Sequence, residues 1–174
     1  MTARAALLSA VALALLAGCS ATDDRPDGER IVGTRTGTTV NTRVLGVSVP
    51  VVDLANREPE STVTFAAGGG FSLDLSLPDS LVVGPSGDEV SVDLPASVSI
   101  DGTYALDTAT RTVTVTRTDA PGTLTLGYAF RGTDGLELVA NDDGTFAALV
   151  GVAAGPEYEA LASVITGGSI RFDP

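Results

Sequence analysis

Apolar and polar side chains alternate along most of this chain, from Ile31 nearly to the C-terminus, and the alternation restricts the fold more than any other feature. Thr, Ser and Asp separate aliphatic or aromatic residues in one segment after another, as in Val90 to Leu94. Because successive side chains of a strand point to opposite faces, the pattern predicts strands that are solvated on one face and buried on the other. Residues 31–174 are therefore predicted to form one antiparallel β domain.

Tight turns join the predicted strands. Thr62 to Phe65 and Phe71 to Leu75 flank Ala67-Gly68-Gly69-Gly70, and glycine suits a hairpin turn that needs positive φ. A phosphate-binding loop would need a helix directly after the glycines, and a strand follows instead. Many short strands joined in this way indicate either a barrel or a sandwich, which periodicity alone does not separate.

One C-terminal helix is predicted. Pro156 suits its first turn, acidic residues follow at its N-terminal end, and apolar residues form one stripe as far as Ile165. Gly167 can cap its end, and Ser169 to Phe172 predicts a last short strand. A second helical turn over Thr145 to Val152 fits the spacing of the apolar residues, but no stop signal marks its end.

Several short segments, in their order and spacing, resemble prokaryotic lipocalin-like lipoproteins. They are Ile31-Val32-Gly33-Thr34, then Val63-Thr64-Phe65 before the glycine turn and Phe71, then Gly102-Thr103-Tyr104, and finally Leu136-Glu137-Leu138. The resemblance implies an all-β fold, an up-and-down antiparallel β-barrel with one C-terminal helix, and a β-sandwich is the alternative. Arg35 departs from the family, whose opening Gly-x-Trp motif places there a tryptophan that fills the barrel floor.

The same resemblance implies that the barrel holds a small apolar or amphipathic ligand. The candidate ligand contacts are aromatic residues on the predicted strand faces, namely Phe65, Phe71, Tyr104, Tyr128 and Phe130. An eight-stranded barrel is just wide enough to hold one small ligand or to be filled by side chains. These aromatic residues could therefore equally form the core.

The N-terminus has the layout of a secretory signal. Met1 to Arg4 gives a basic start, and Ala5 to Ala17 is an apolar run that is too short to span a membrane. The run ends in Leu16-Ala17-Gly18-Cys19, which resembles the lipobox of prokaryotic lipoproteins. We therefore predict a signal peptide over residues 1–18 and lipid attachment at Cys19, which would hold the protein on the cell membrane or the outer membrane, facing away from the cytoplasm.

Residues 19–30 are predicted to be a flexible acidic tether. Between Ser20 and Arg30 the only aliphatic side chain is that of Ala21, so the segment can bury too little apolar surface to offset the entropy of ordering it. The Asp23-Asp24 pair is interpreted as a solvated charge run rather than a cation site.

The composition excludes several functions. The 22 acidic residues against 10 basic ones give a formal net charge of -12, which disfavours nucleic acid as a partner. The chain has no His and its only Cys is Cys19, so disulfides, Cys/His metal sites and His-based acid–base catalysis are excluded, and no cofactor is predicted.

Two chemical functions are suggested by the acidic residues. Paired carboxylates could hydrolyse a glycoside, but Asp74, Asp93, Asp107 and Glu137 fall at predicted outward positions or turns. Asn141-Asp142-Asp143-Gly144 could hold calcium, but its residues are also common turn formers. We therefore expect no metal site and no enzyme.

Two non-catalytic functions remain. The first is a membrane-anchored binding module with a small apolar ligand inside the barrel. The second is a scaffold or interaction protein of the cell envelope that uses its outer face or the apolar stretch Val44 to Leu54, with protein partners that the sequence does not identify. Pro50 interrupts that stretch, which favours an edge strand, a lid over the barrel mouth or a partner surface.

Overall fold

The computed structural model of the 174-residue chain describes residues 23–44, 47–83, 87 and 89–174. The predicted signal peptide, the lipidation site Cys19 and residues 20–22 lie outside the described residues. Within the described ranges the chain is mostly β structure, as the alternation predicts.

The strands are β1 (Gly33–Val44), β2 (Val47–Asp53), β3 (Thr62–Phe65), β4 (Gly70–Ser76), β5 (Ser80–Val83), β6 (Val90–Asp93), β7 (Ser97–Asp107), β8 (Thr112–Arg117), β9 (Thr123–Arg131), β10 (Gly135–Ala140) and β11 (Gly168–Asp173). The helices are α1 (Asp27–Arg30), α2 (Asp143–Leu149) and α3 (Pro156–Ala162).

Eight of these strands close into an antiparallel barrel in the order β1-β3-β4-β7-β8-β9-β10-β11. The last strand, β11, pairs with β1, with Ile170 opposite Val40, and this pairing closes the sheet on itself. The barrel prediction is thus confirmed and the sandwich alternative is wrong, since a sandwich would leave two separate sheets. The β2 strand pairs with the second half of β1 outside the closed ring.

The turns between strands lie at the two opposite ends of the barrel. We call the end where β1 begins, and where the β3–β4, β7–β8 and β9–β10 turns lie, the floor; the opposite end is the top. The predicted glycine turn belongs to the floor, and Gly69 there has a φ of 84°, so the need for positive φ is confirmed. Gly102 lies where β7 passes from β4 to β8, and a side chain there would meet the Thr116 carbonyl oxygen at 2.2 Å.

Additional elements cover the top. The β5–β6 hairpin follows β4, and α2 and α3 follow β10, so the topology places both units at this end. The α3 helix packs on β6, and α2 packs on α3, β9, β10 and β11. Their apolar side chains, Leu81, Val92, Phe146 and Leu161, are 0–1% exposed.

The helical prediction was incomplete. The predicted helix begins at Pro156 but ends at Ala162, and α2 forms a full helix where the sequence indicated only an undecided turn over residues 145–152. The signal that would have predicted α2 is its N-cap, Asp142. The Asp142 carboxylate accepts a hydrogen bond from the Thr145 backbone nitrogen at 2.7 Å.

Candidate functional site

The predicted ligand-contacting aromatics gather at the floor in two groups. Phe65 ends β3 opposite Phe71, and their ring centroids lie 5.1 Å apart with an edge-to-face tilt. The Tyr104 ring lies 5.0 Å from that of Phe65, again edge to face, and its hydroxyl donates to the Ala66 carbonyl at 3.2 Å. Phe65 and Phe71 are buried, whereas Tyr104 is half-buried. These contacts are of the kind that stabilises apolar cores.

Tyr128 and Phe130 form the second group. Their ring centroids lie 5.6 Å apart, and the Tyr128 hydroxyl donates to Asp27 Oδ2 at 2.8 Å. Burial, together with this hydrogen bond, raises the pKa of Tyr128 to about 12. The Arg30 guanidinium carbon lies 4.0 Å from the centre of the Phe130 ring, which is cation–π geometry. Both aromatic residues therefore contact the segment that precedes β1.

That segment, Asp23–Arg30, lies against the barrel floor, in place of the flexible spacer that its polarity indicates; we call it the strap. Arg25 Nη2 lies 2.6 Å from Asp134 Oδ1 on the β9–β10 turn, and Arg30 Nε lies 3.2 Å from Asp23 Oδ2. The side-chain hydrogen bond from Arg25 lowers the pKa of Asp23 to about 2. The strap is held by charges and hydrogen bonds rather than by the apolar burial that the sequence lacks.

Arg35, which departs from the Gly-x-Trp motif, lies on β1 at the floor of the barrel. It lies opposite Val63 on the inner face and is 5% exposed. Its guanidinium donates from Nε to the Asp134 carbonyl at 2.6 Å, from Nη1 to the Ile31 carbonyl at 2.8 Å, and from Nη2 to the Arg30 carbonyl. Arg35 thus caps the C-terminal carbonyls of α1 and closes the floor.

The barrel interior is filled by side chains. Most of its inward side chains leave no surface for a water molecule to touch; those that are 0% exposed are Val63, Phe65, Leu73, Ile100, Val113, Val115, Leu126, Leu136, Leu138 and Ile170. Phe172 and Val40 are 1% exposed. A β-barrel is a fold that could hold a ligand, but in this conformation the inner faces contact one another.

Three of the hollows lined by described residues lie on the outer surface. The largest, about 710 Å³, lies near the top between the β2–β3 loop and the adjoining ends of β4 and β7; we call it the rim groove. It is lined by Asp53, Asn56, Arg57, Glu58, Pro59, Ser76, Leu77, Ala96 and Ser97. The others, of about 310 and 250 Å³, lie over β3, β4 and β7 and beside β1 and β11. Of these three, the rim groove lies furthest inside the usual volume range of small-molecule sites, about 300 to 1,000 Å³.

The apolar stretch Val44 to Leu54 contains β2, which is the last strand in the order of the nine-stranded sheet. Val47 and Val49 are 63% and 41% exposed, while Leu54 is buried. Val82 on β5 is 56% exposed. Pro50 removes a backbone donor from this edge strand, a device that discourages pairing with another strand. The stretch is thus an edge strand rather than a lid.

Glu137 is a polar residue whose burial could not be predicted from the sequence. It points outward from β10 yet is only 6% exposed, because it accepts hydrogen bonds from Ser169 at 2.7 Å and from Arg131 Nε at 2.8 Å. Burial opposes ionisation, but these hydrogen bonds prevail and hold the pKa of Glu137 below its usual value. Asp74 on β4 also has a side-chain partner, since it accepts a hydrogen bond from Ser99 Oγ at 2.6 Å.

The acidic turn after β10 is used to build helices. Asp142 caps α2, and Asp143 accepts a hydrogen bond from the Tyr158 hydroxyl at 2.7 Å. Throughout residues 23–44, 47–83, 87 and 89–174, no three His, Cys, Asp or Glu side chains are grouped so that they could hold a metal ion. Within the same ranges, none of the helices has the length and apolarity needed to cross a bilayer.

Comparison with known proteins assigns the chain to no family. No family model matches the chain, and neither a curated protein nor a solved structure is significantly similar to it. The barrel, with helices before its closing strand, is consistent with a calycin-like fold on its architecture alone.

Proposed function

We propose that this chain is a lipid-anchored, non-catalytic protein of the cell envelope whose packed barrel is a scaffold that interacts through its outer surface. The anchor is Cys19, exposed as the mature N-terminus after removal of residues 1–18. This part of the proposal is supported by the basic start, the apolar run and the lipobox-like Leu16 to Cys19, which follow one another in the order typical of a lipoprotein signal. Two acyl chains on one cysteine anchor stably where a single chain is marginal.

One observation carries the scaffold proposal, namely that ten inward side chains of the barrel, among them Val63, Phe65 and Ile170, are completely buried. A ligand of ordinary size would need several hundred cubic ångströms, which these side chains already occupy. The larger hollows and the exposed valines lie outside the wall instead. Binding at the cell envelope would therefore use the outer surface.

Mass spectrometry of the native protein, purified from its own host in gentle detergent, tests the scaffold proposal. We expect the mass of the lipidated chain without an added small molecule, together with any co-purifying protein. A bound apolar molecule that survives detergent exchange and disappears in Phe65→Trp, which would overfill the interior, would contradict it. Phe71→Leu is the milder control for the same aromatic group.

A second candidate function is the binding of a small apolar or amphipathic ligand inside the barrel. The specific observation in its favour is that Tyr104 and Phe130 are only half-buried, so the aromatic groups reach the surface at the floor. A ligand would have to separate these rings or displace the strap above Phe130. The same mass spectrum distinguishes the two functions.

The anchor has its own test. Cys19→Ala should leave the precursor unprocessed or the product soluble, and mass spectrometry of the wild-type N-terminus should find a diacylglyceryl group on Cys19. An unmodified Cys19, or cleavage elsewhere, would refute the anchor. Ser20 follows the cysteine, where enteric-type cells use Asp to retain lipoproteins at the inner membrane, so in a host with two membranes we favour the outer one.

A further inference from the structure

We infer that the protein stands on the membrane with its barrel floor toward the lipid headgroups and its top, including the rim groove, directed away. This orientation rests on the proposed lipid anchor and specifies the surface that meets the membrane. It follows from where the strap is fixed and how little chain separates the strap from Cys19.

The strap is fixed to the floor at several points. Arg25 contacts Asp134 on the β9–β10 turn at 2.6 Å, and Arg30 Nη2 donates to the Gly132 carbonyl of that turn at 3.2 Å. On the neighbouring strand, the Tyr128 hydroxyl donates to Asp27 Oδ2 at 2.8 Å. The chain therefore leaves the folded domain at the floor, beside the β9–β10 turn.

The connection to the lipid is short. Cys19 precedes Asp23 by four positions. A fully extended chain advances at most about 3.6 Å per residue, so these positions span roughly 14 Å at most. With the acyl chains of Cys19 in the bilayer, Asp23 and the floor around it must remain within about that distance of the headgroups.

The barrel is taller than this connection is long. The β9 strand has 9 residues and runs from top to floor. At about 3.3 Å per residue and a tilt of about 40°, it rises roughly 23 Å along the barrel axis. In the upright orientation the rim groove and the exposed Val47 and Val49 thus face away from the membrane, where soluble or envelope-bound partners can reach them.

A matched pair of labelling sites tests the orientation in the full-length lipidated protein. Thr133→Cys lies on the floor turn between β9 and β10, and Ala96→Cys lies at the top, in the loop between β6 and β7 that lines the rim groove. Both positions are exposed, and the lipidated Cys19 does not compete for a thiol-reactive fluorophore. Each variant is reconstituted into phosphatidylcholine vesicles with or without lipids that carry a headgroup nitroxide.

We expect the nitroxide to quench the floor label at least about threefold more strongly than the top label, since quenching falls steeply over the roughly 23 Å that a strand rises from floor to top. Equal quenching would mean that the barrel lies on its side, and stronger quenching of the top label would mean that it is inverted; either result overturns the orientation. If neither variant floats with the vesicles and the N-terminus carries no lipid, the anchor itself fails, which is a different result.

A longer connection provides the complementary test. Inserting about 20 Gly and Ser residues between Thr22 and Asp23 raises the average span of a flexible linker well above its original reach. The folded domain and the anchor are unchanged, so flotation should persist while the difference between the floor and top labels shrinks. A difference that survives the insertion would show that the short connection does not set the orientation.

Discussion

The two ends of the barrel are closed by opposite kinds of interaction. At the top, the β5–β6 hairpin and two helices bury apolar side chains such as Leu81 and Leu161. At the floor, a polar strap is held by ion pairs, by hydrogen bonds and by a guanidinium over an aromatic ring. Between them the interior is filled with aliphatic and aromatic side chains.

This difference shows that closing a barrel does not require apolar sequence. The floor is closed because the Arg35 donors meet carbonyls at the end of a single helical turn, which satisfies groups that would otherwise be left unpaired. Polar closure of this type depends more on pH and salt than apolar closure does. The two ends should therefore respond differently to mutation and to solution conditions.

The largest loss of stability is expected from a charge placed in the filled interior, which lies between the two ends. Phe65→Asp places an unpaired charge at a fully buried site, which costs several kcal/mol against a total stability of about 5 to 15 kcal/mol, so the domain should unfold. Circular dichroism and urea denaturation measure this. Thr64→Asp, on the outward face of the same strand, is the control, and a folded Phe65→Asp protein would show that the interior is not a packed core.

At the top, Leu161→Ala removes a completely buried side chain of α3. We expect a loss of about 2 to 4 kcal/mol from lost burial and the cavity left behind. The matched control is Val82→Ala on the exposed side of the β5–β6 hairpin, which should stay within about 0.5 kcal/mol of wild type. Equal effects of the two changes would mean that the apolar cover does not stabilise the top.

At the floor, Arg35→Met retains bulk but removes the donors to three backbone carbonyls. A smaller loss of about 2 kcal/mol is expected, because the freed carbonyls are near enough to the surface to recover some water. Denaturant unfolding measures the loss, and exposed Arg111→Met controls for removal of one positive charge. If Arg35→Met were as stable as Arg111→Met, the floor would not depend on Arg35.

The smallest change in stability is expected from a substitution in the strap. The pKa of Asp23 lies at about 2 in the folded protein, below its ordinary value of 3.8, so its ion pairs contribute stability above about pH 4. That contribution is lost as the pH falls toward 2 and the carboxylate is protonated. Asp23→Asn should therefore slightly lower the thermal midpoint at pH 6, and the difference from wild type should vanish near pH 2. A difference that is independent of pH would argue against the ion pairs.

Period-two alternation was enough to predict the interior and most strands, because it reports directly which face is buried. The last short strand after the helix was also predicted, but its pairing with β1 was not. The strap and Glu137 could not be predicted in this way, since their order comes from partners distant in sequence, such as Asp134 for Arg25 and Ser169 for Glu137. Arg35 stood out only as a departure from a motif, and its position opposite Val63 was needed to explain it.

A crystal structure of the protein purified from its own host tests most directly whether the barrel is filled and closed at both ends. The account predicts no enclosed cavity above about 100 Å³ among the inward side chains and no density for a bound molecule there, since ligand pockets usually measure about 300 to 1,000 Å³. An internal cavity within that range, with Phe65 and Phe71 lining a bound apolar molecule, would contradict the scaffold and establish the barrel as a binding site.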